Sequence, residues 1–236
     1  MLTNNLLQPQ PLYKMQHIIS NLSEDIIKID VYGCGGTGSH VLNGLARMAK
    51  ALSDLGHPGI HVTAYDPDTV SYDNVGRQAF FDADVGNSKS KVLIERINLY
   101  YWQKWRAVKG NAPSYSPSSI IISCVDTKSS RKKISKARYK NGTYLLDCGN
   151  ARASGQVILG QYNGDLPFPY DEGLTEGDEP DEPTCVDQYY RQDLYINTMI
   201  AGHALHLVWE LFRKTSIDIR GVFLNLESGI TNPIKC

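Results

Sequence analysis

Residues 26–38 read Ile-Ile-Lys-Ile-Asp-Val-Tyr-Gly-Cys-Gly-Gly-Thr-Gly, so a β-branched run passes directly into a G-x-G-x-x-G pattern. The β-branched run predicts a buried strand over residues 26–32. Residues 39–54 carry apolar side chains at helical spacing and predict a helix. The glycines therefore lie between a strand and a helix, which is the context in which this pattern binds the phosphate of a nucleotide.

Each glycine of the pattern has an expected role. Gly33 would allow the tight turn, Gly35 would let a phosphate approach the backbone, and Gly38 would let the helix pack close to the strand. Gly36 and its neighbours would present N–H groups at the helix start to the anion. The alternative is a packing turn that binds no ligand.

The rest of the chain alternates between strand and helix patterns. Further strands are predicted at residues 60–65, 120–125, 143–147, 155–161 and 220–226, and further helices at 88–102, 129–139 and 188–214, with a short helix near 12–22. This alternation predicts an α/β fold, with a Rossmann-like, mostly parallel sheet and helices on both faces. Residues 163–183 contain four Pro, three Gly and many acidic residues, and predict a mobile crossover loop. We expect one domain over residues 26–236, after an N-terminal extension of residues 1–25.

Composition excludes several classes of protein. The 236 residues carry 24 basic and 25 acidic side chains, a formal net charge of −1 that argues against nucleic-acid binding by bulk charge. An apolar share of 42% and a charged share of 21% exclude collagen-like, disordered and coiled-coil chains. No apolar run reaches the roughly 18 residues of a membrane span, and the N-terminus lacks the pattern of a signal peptide. We therefore expect a cytoplasmic protein.

The cysteines argue against a disulfide framework. They are Cys34, Cys124, Cys148, Cys185 and Cys236. Their number is odd and none form a C-x-x-C pair, so a four-cysteine zinc site is not expected either. Cys34, Cys124 and Cys148 are expected to be packing residues.

Two aspartates follow the second predicted strand. Asp66 ends that strand, where an acidic residue of a dinucleotide site binds the ribose hydroxyls. It lies further along the chain than the usual spacing of about 20 residues. Asp68 is expected either at the nucleotide or as the cap of a turn.

The residues that come next favour a triphosphate over a dinucleotide. Asn74, Arg77 and Gln78 follow soon after, and Lys89 begins the next predicted helix. Cationic side chains near a phosphate-binding turn suit the neutralisation of a triphosphate. Asp126 ends the third strand, at the sheet edge where such folds bind ligands, and a lone carboxylate there suits Mg²⁺ bridged to phosphates. The sequence therefore favours ATP chemistry over hydride transfer.

Four blocks of the sequence resemble the ThiF/MoeB/HesA family, the bacterial branch of the ubiquitin-activating-enzyme superfamily. They read GCGGTGSH from residue 33, YDPDTVSYDNVGRQ from residue 65, VGNSK from residue 85 and SCVD from residue 123. The order and spacing match over about residues 29–211, and the second block is far more specific than the glycines.

The resemblance implies ATP-dependent adenylation of the C-terminal glycine carboxylate of a small ubiquitin-like, ThiS/MoaD-like β-grasp protein, by a homodimer. Carried over position by position, it places Asp66 at the ribose, Asn74, Arg77 and Gln78 around the triphosphate, Lys89 at the phosphate oxygens and Asp126 at Mg²⁺. Arg131 matches an arginine that follows that aspartate by one helical turn. Cys185 stands where some members carry a cysteine that accepts the activated acyl group, although other members keep this cysteine without needing it.

Three features of the sequence depart from the family pattern. The two C-x-x-C pairs that hold zinc in many members are absent, so no zinc is expected. Thr127 stands where members usually have Asn. No Arg precedes Arg47, so Lys14 or Lys28 would have to replace an N-terminal arginine, and Lys cannot form the bidentate contact that Arg makes with phosphate.

Two other functions stay open. One is a tRNA-modifying, ATP-dependent dehydratase of the same superfamily, whose support would be the basic stretch at residues 131–140. The other is a nucleotide-binding scaffold without catalysis, which the missing arginine and Thr127 favour. Apart from the tRNA of the first alternative, we do not expect a nucleic-acid partner. An oxidoreductase is disfavoured because it would leave Arg77, Gln78 and Lys89 without a role.

Overall fold

The computed structural model of the protein describes residues 16–19, 22, 25–170 and 192–236. In chain order the strands are β1 (His17–Ile18), β2 (Ile27–Tyr32), β3 (Ile60–Tyr65), β4 (Arg106–Val108), β5 (Tyr115–Ser116), β6 (Ile120–Ser123), β7 (Arg138–Tyr139), β8 (Tyr144–Asn150), β9 (Ser154–Gln161), β10 (Ser216–Ile217), β11 (Ile219–Asn225) and β12 (Ile230–Lys235). The helices are α1 (Gly36–Asp54), α2 (Lys89–Tyr101), α3 (Lys128–Lys136) and α4 (Ile196–Arg213). No helix within these ranges is long and apolar enough to cross a membrane.

Eight strands form one sheet in the order β12-β11-β9-β8-β6-β2-β3-β4. The five from β8 to β4 are parallel to one another, while β9, β11 and β12 pair antiparallel. The expected α/β class and the Rossmann-like sheet are confirmed. The carboxyl ends of β2, β3 and β6 meet at one edge, which therefore carries the glycine turn and the residues that follow it.

Helices cover both faces of the sheet. On one face α1, α2 and α4 pack on side chains that point the same way from the parallel strands, such as Ile29 and Val31, both fully buried. On the other face α3 packs through Ile134 against Tyr32 and Ile121. At Gly44 a Cβ would lie 2.1 Å from Leu205 Cδ1, so α1 and α4 approach closely.

Several sequence-based boundaries were wrong because tertiary pairing overrode local pattern. Residues 17–18 form β1, which pairs with β10, where a helix near 12–22 was expected. The helix predicted at 129–139 ends at Lys136, since residues 138–139 pair with β5. The helix predicted at 188–214 begins at Ile196, and residues 188–191 lie outside the described part of the chain.

Candidate functional site

The glycine turn joins β2 to α1 through backbone contacts that exclude side chains at two positions. Gly33 has φ +85°, and a Cβ there would lie 2.8 Å from the carbonyl oxygen of Cys124. A Cβ on Gly38 would lie 1.9 Å from the carbonyl oxygen of Gly33. Gly33 and Gly38 therefore occupy the tight turn and the close helix packing that the sequence predicts for them.

The start of α1 is open to an anion. Among the described residues no side chain caps it, and its first turn contains no acidic residue. A Cβ on Gly35 would have only the Gln78 amide near it, at 3.8 Å. The first N–H groups of this 19-residue helix have no partner within the helix, and together with the positive end of its dipole they favour a phosphate at this position.

Asp66 lies beside the turn and holds it. Its Oδ2 accepts a hydrogen bond from the backbone N–H of Cys34 at 2.5 Å, and its Oδ1 accepts one from the N–H of Asp68 at 2.8 Å. Burial raises the pKa of Asp66, against the opposing effect of those two N–H groups and of Lys89. The carboxylate thus shapes the turn, and each oxygen retains a second lone pair with which to accept a ligand hydroxyl.

Lys89 is the buried cation of the site. Its Nζ lies 3.2 Å from Asp68 Oδ2, and its backbone N–H donates to the carbonyl oxygen of Asp68. The Lys89 side chain is 10% exposed, whereas that of Asp68 is 63% exposed. Asp68 therefore contacts the ammonium from the solvent side, and its contact with a nucleotide stays a prediction.

The side chains of Asn74, Arg77 and Gln78, in the segment between β3 and α2, make different contacts. Arg77 Nη2 donates to Gln192 Oε1 at 2.7 Å. Gln78 Oε1 is buried beside Gly35 and has no hydrogen-bond partner within the described residues. Asn74 Oδ1 accepts the N–H of Ser71 at 3.0 Å and so caps a short 3-10 turn. Gln78 therefore lies at the glycine turn, Arg77 contacts Gln192, and the Asn74 oxygen accepts a hydrogen bond within its own loop.

A polar network beneath the turn was not predicted as a unit. Asn197 Oδ1 accepts from Thr37 Oγ1 at 3.1 Å and from Asn150 Nδ2 at 2.7 Å, and Asn197 Nδ2 donates to Gln192 Oε1 at 3.2 Å. Gln192 also accepts from Arg77, so these five residues form one chain, called here the Asn197 network. Its one signal in the sequence is an amide among the apolar residues of a predicted helix.

Asp126 lies in the loop between β6 and α3 with its side chain exposed. Within the described ranges no group of three or more His, Cys, Asp or Glu residues is placed to hold a metal ion. A single carboxylate at this edge fits Mg²⁺ bound mainly by phosphate oxygens and water, as the ion prefers. Thr127, the next residue, caps α3 by accepting the N–H of Ser130 at 3.2 Å.

The Arg131 side chain contacts β8. Its Nε lies 3.4 Å from Asp147 Oδ1, and its Nη2 donates to the carbonyl oxygen of Cys148 at 3.3 Å. Asp147 is buried and also accepts from the hydroxyl of Tyr170 at 2.8 Å. Arg131 therefore compensates a buried carboxylate on β8.

Neither lysine considered as a replacement for the N-terminal arginine is found at the glycine turn among the described residues. Lys28 lies near the start of β2, at the end of the strand away from the glycine turn, so it does not replace an N-terminal arginine in this chain's own site. Lys14 and Cys185 lie outside the described residues.

Burial raises the pKa of the Cys34 thiol, and a hydrogen bond with Cys124, together with burial, raises the pKa of the Cys148 thiol. Both thiols are therefore protonated at neutral pH, as packing residues would be.

Solved structures share this fold. PaaA matches with a TM-score of 0.64 at 17% identity, over 89% of this chain and 64% of that chain. Escherichia coli MccB with ATP matches with a TM-score of 0.59 at 17% identity, over 89% and 63%. The microcin C7 biosynthetic enzyme MccB, in complex with N-formylated MccA, matches with a TM-score of 0.60 at 16% identity, over 89% and 64%. The chain thus spans less than two thirds of the length of these proteins.

No curated protein matches the sequence significantly. The ThiF family matches residues 19–214, which include the glycine turn, Asp66, the Arg77 segment, Lys89 and the loop of Asp126. Because this match covers most of the chain, the protein belongs to the ThiF family.

Proposed function

We propose that the protein is an ATP-dependent adenylyltransferase. The observation that carries this is the gathering of Asp66, Lys89, Arg77 and Gln78 around an uncapped helix start at one edge of the sheet. One buried ammonium, one guanidinium and the helix start supply positive charge, and a nucleotide triphosphate is the ligand that needs it. Membership of the ThiF family and the likeness to an MccB structure that holds ATP support this assignment.

Each residue has a role in the proposed reaction. Asp66 accepts hydrogen bonds from the ribose hydroxyls, and Gln78 donates through Nε2 to the phosphates beside Gly35. Arg77 and Lys89 neutralise the triphosphate. A carboxylate oxygen of the substrate then attacks the α-phosphorus, the bond from that phosphorus to the pyrophosphate oxygen breaks, and pyrophosphate leaves with the electron pair. The protein orients the reactants and stabilises the charge of the transition state, and these two effects supply most of the catalysis in reactions at phosphorus.

Asp126 would hold Mg²⁺ together with the phosphates. The ion, when bound, neutralises charge on the phosphate oxygens. Asn74 would donate a hydrogen bond from its side-chain Nδ2 to the triphosphate, because its Oδ1 already accepts the N–H of Ser71.

The substrate is proposed to be the C-terminal glycine carboxylate of a small ubiquitin-like protein of the ThiS/MoaD type. MccB structures contain the MccA peptide, which supports a polypeptide substrate of small size. We further propose a homodimer, one catalytic domain over residues 26–236, and transfer of the acyl group to Cys185. In that transfer the thiol loses its proton, a thioester forms and AMP leaves.

Exchange of labelled pyrophosphate into ATP tests the proposal. Exchange is expected only with a small protein that ends in glycine, and Asp126→Ala should abolish it if Asp126 holds Mg²⁺. A thiol-sensitive adduct that Cys185→Ser removes, with exchange intact, would support the transfer step, and an adduct that survives would exclude it. Exchange that needs tRNA instead would support the dehydratase, and ATP binding without any exchange would support the scaffold.

A further inference from the structure

The Asn197 network has a fixed direction that ends on Arg77. Asn197 Oδ1 accepts two hydrogen bonds, from Thr37 and Asn150, so its Nδ2 must face the other way, toward Gln192. Gln192 Oε1 consequently receives one N–H from Asn197 and one from Arg77 Nη2. The orientation of each amide is set by the one before it, from the first turn of α1 to the guanidinium.

Burial makes the centre of the network rigid. Asn197 is 5% exposed, and a Cβ on Gly36 would lie 2.6 Å from its side-chain Cγ and Oδ1. Gly36 is therefore required by the contact with Asn197, in addition to any contact of its own N–H with a phosphate. A buried amide that lost its partners would cost more than the contacts return, so the network stays closed.

The chemistry of Gln192 suits a residue that places a charge without cancelling it. Its amide oxygen is neutral, so the hydrogen bond from Arg77 Nη2 to Gln192 does not itself cancel the positive charge of the guanidinium. A carboxylate at this position would hold Arg77 more strongly but would compete with phosphate for it. A long arginine side chain otherwise loses considerable rotamer freedom when it engages a ligand.

We propose that Gln192 and Asn197 are positioning residues that hold Arg77 ready at the phosphates of the nucleotide. The proposal rests on the proposed function, because it requires Arg77 to contact a triphosphate. Gln192 touches no reacting atom and acts only through Arg77, while Asn197 aligns Gln192 with the first turn of α1.

Gln192→Ala provides the first test, since this half-buried residue can be truncated without opening the core. Equilibrium binding of ATP and of adenosine is measured by calorimetry. ATP should bind about tenfold more weakly, the scale of one hydrogen bond to a charged group, while adenosine, which lacks phosphates, should bind as in the wild type. Equal losses for both ligands, or unchanged or tighter ATP binding, would overturn the proposal. Gln103→Ala, which removes a local contact to the Tyr101 carbonyl on α2, is the matched control and should change neither affinity.

Gln192→Glu tests whether neutrality matters. The carboxylate preserves the shape of the side chain and pairs with Arg77, so ATP should bind more weakly than to the wild type, with adenosine unaffected. ATP binding at or above the wild-type affinity would contradict the role assigned to the neutral amide.

A double-mutant cycle with Arg77→Ala isolates the path of the effect. In the Arg77→Ala background, Gln192→Ala should weaken ATP binding no further, because its partner is gone. If the two substitutions weaken ATP binding additively, the positioning role is overturned, while the proposed function stands. A wild-type protein that binds no ATP would overturn the proposed function itself, so the two failures are distinguishable.

Discussion

At the scale of single residues, the charged groups of the site are held by the fold before any ligand arrives. Asp66 accepts two backbone N–H groups, and Lys89 is held between the protein interior and Asp68. Such preorganisation is what allows charge stabilisation without reorganisation during the reaction.

Lys89→Met should keep the fold and lose the reaction. Methionine can occupy the space of the lysine stem, but it carries no charge. The rate of pyrophosphate exchange should fall by about 100-fold or more, as on removal of one preorganised charge-stabilising group.

Lys91→Met is the control on the same helix. Its ammonium lies 3.7 Å from Glu95 with both side chains largely exposed, so its removal should leave the exchange rate close to that of the wild type. Similar losses in the two variants would refute the role of Lys89.

At the scale of elements, the strand–turn–helix unit depends on backbone contact. The carbonyl oxygen of Gly33 and the first turn of α1 approach so closely that position 38 accepts no Cβ. The strand–turn–helix order and the two glycine roles were predictable because they depend on local geometry.

Gly38→Ala should destabilise the protein despite the higher helix propensity of alanine. The added carbon would overlap the Gly33 carbonyl, and overpacking of this kind costs about 1–3 kcal/mol or more. Urea denaturation should show the loss as a lower midpoint with an unchanged slope.

Gly202→Ala in α4 is the matched substitution. A Cβ there meets nothing within 4 Å, so the variant should gain up to about 1 kcal/mol from helix propensity. Destabilisation of both variants by the same amount would contradict the steric explanation.

At the scale of the whole molecule, the sheet buries a carboxyl group away from the edge that carries the glycine turn. Asp30 of β2 is 4% exposed, and its Oδ2 accepts from Ser116 Oγ at 2.7 Å. Burial raises the pKa of Asp30 above its ordinary value of 3.8, against the smaller effects of hydrogen bonds from Ser116, Ser118 and Tyr32.

The stability of the protein should therefore carry a pH dependence from Asp30. Its folded pKa lies above the unfolded value, so its contribution is full below about pH 3.8 and is lost as the pH rises through the folded pKa. Asp30→Asn should gain free energy of unfolding relative to the wild type as the pH rises above about 4, by about 1.4 kcal/mol for each pH unit by which the folded pKa exceeds the unfolded one.

Denaturant titrations of both proteins at several pH values measure this difference. Asp54→Asn, at an exposed ion pair with Lys50, controls for the change in net charge. The same pH-dependent gain in both variants would assign the effect to net charge instead of burial.

The residues at the sheet edge that carries the glycine turn could be predicted from local sequence pattern. The glycine turn, Asp66, Arg77 and Lys89 lie within two consecutive strand–helix repeats, from β2 to the start of α2. Parallel strands bring their carboxyl ends to one edge of the sheet, so these residues meet there. Local pattern was therefore enough to assemble these residues.

The contacts between segments far apart in the chain could not be predicted and follow from the packing of the folded protein. Asn197 meets Gly36 and Asn150, β1 pairs with β10, and β12 (Ile230–Lys235) joins β11 as an exposed edge strand. A hydrogen bond between residues 160 positions apart, such as that of Thr37 with Asn197, leaves no periodicity in the sequence. Its partners become visible only when the packing of α4 against α1 brings them together, because side-chain amides pair by position in space and not by spacing along the chain.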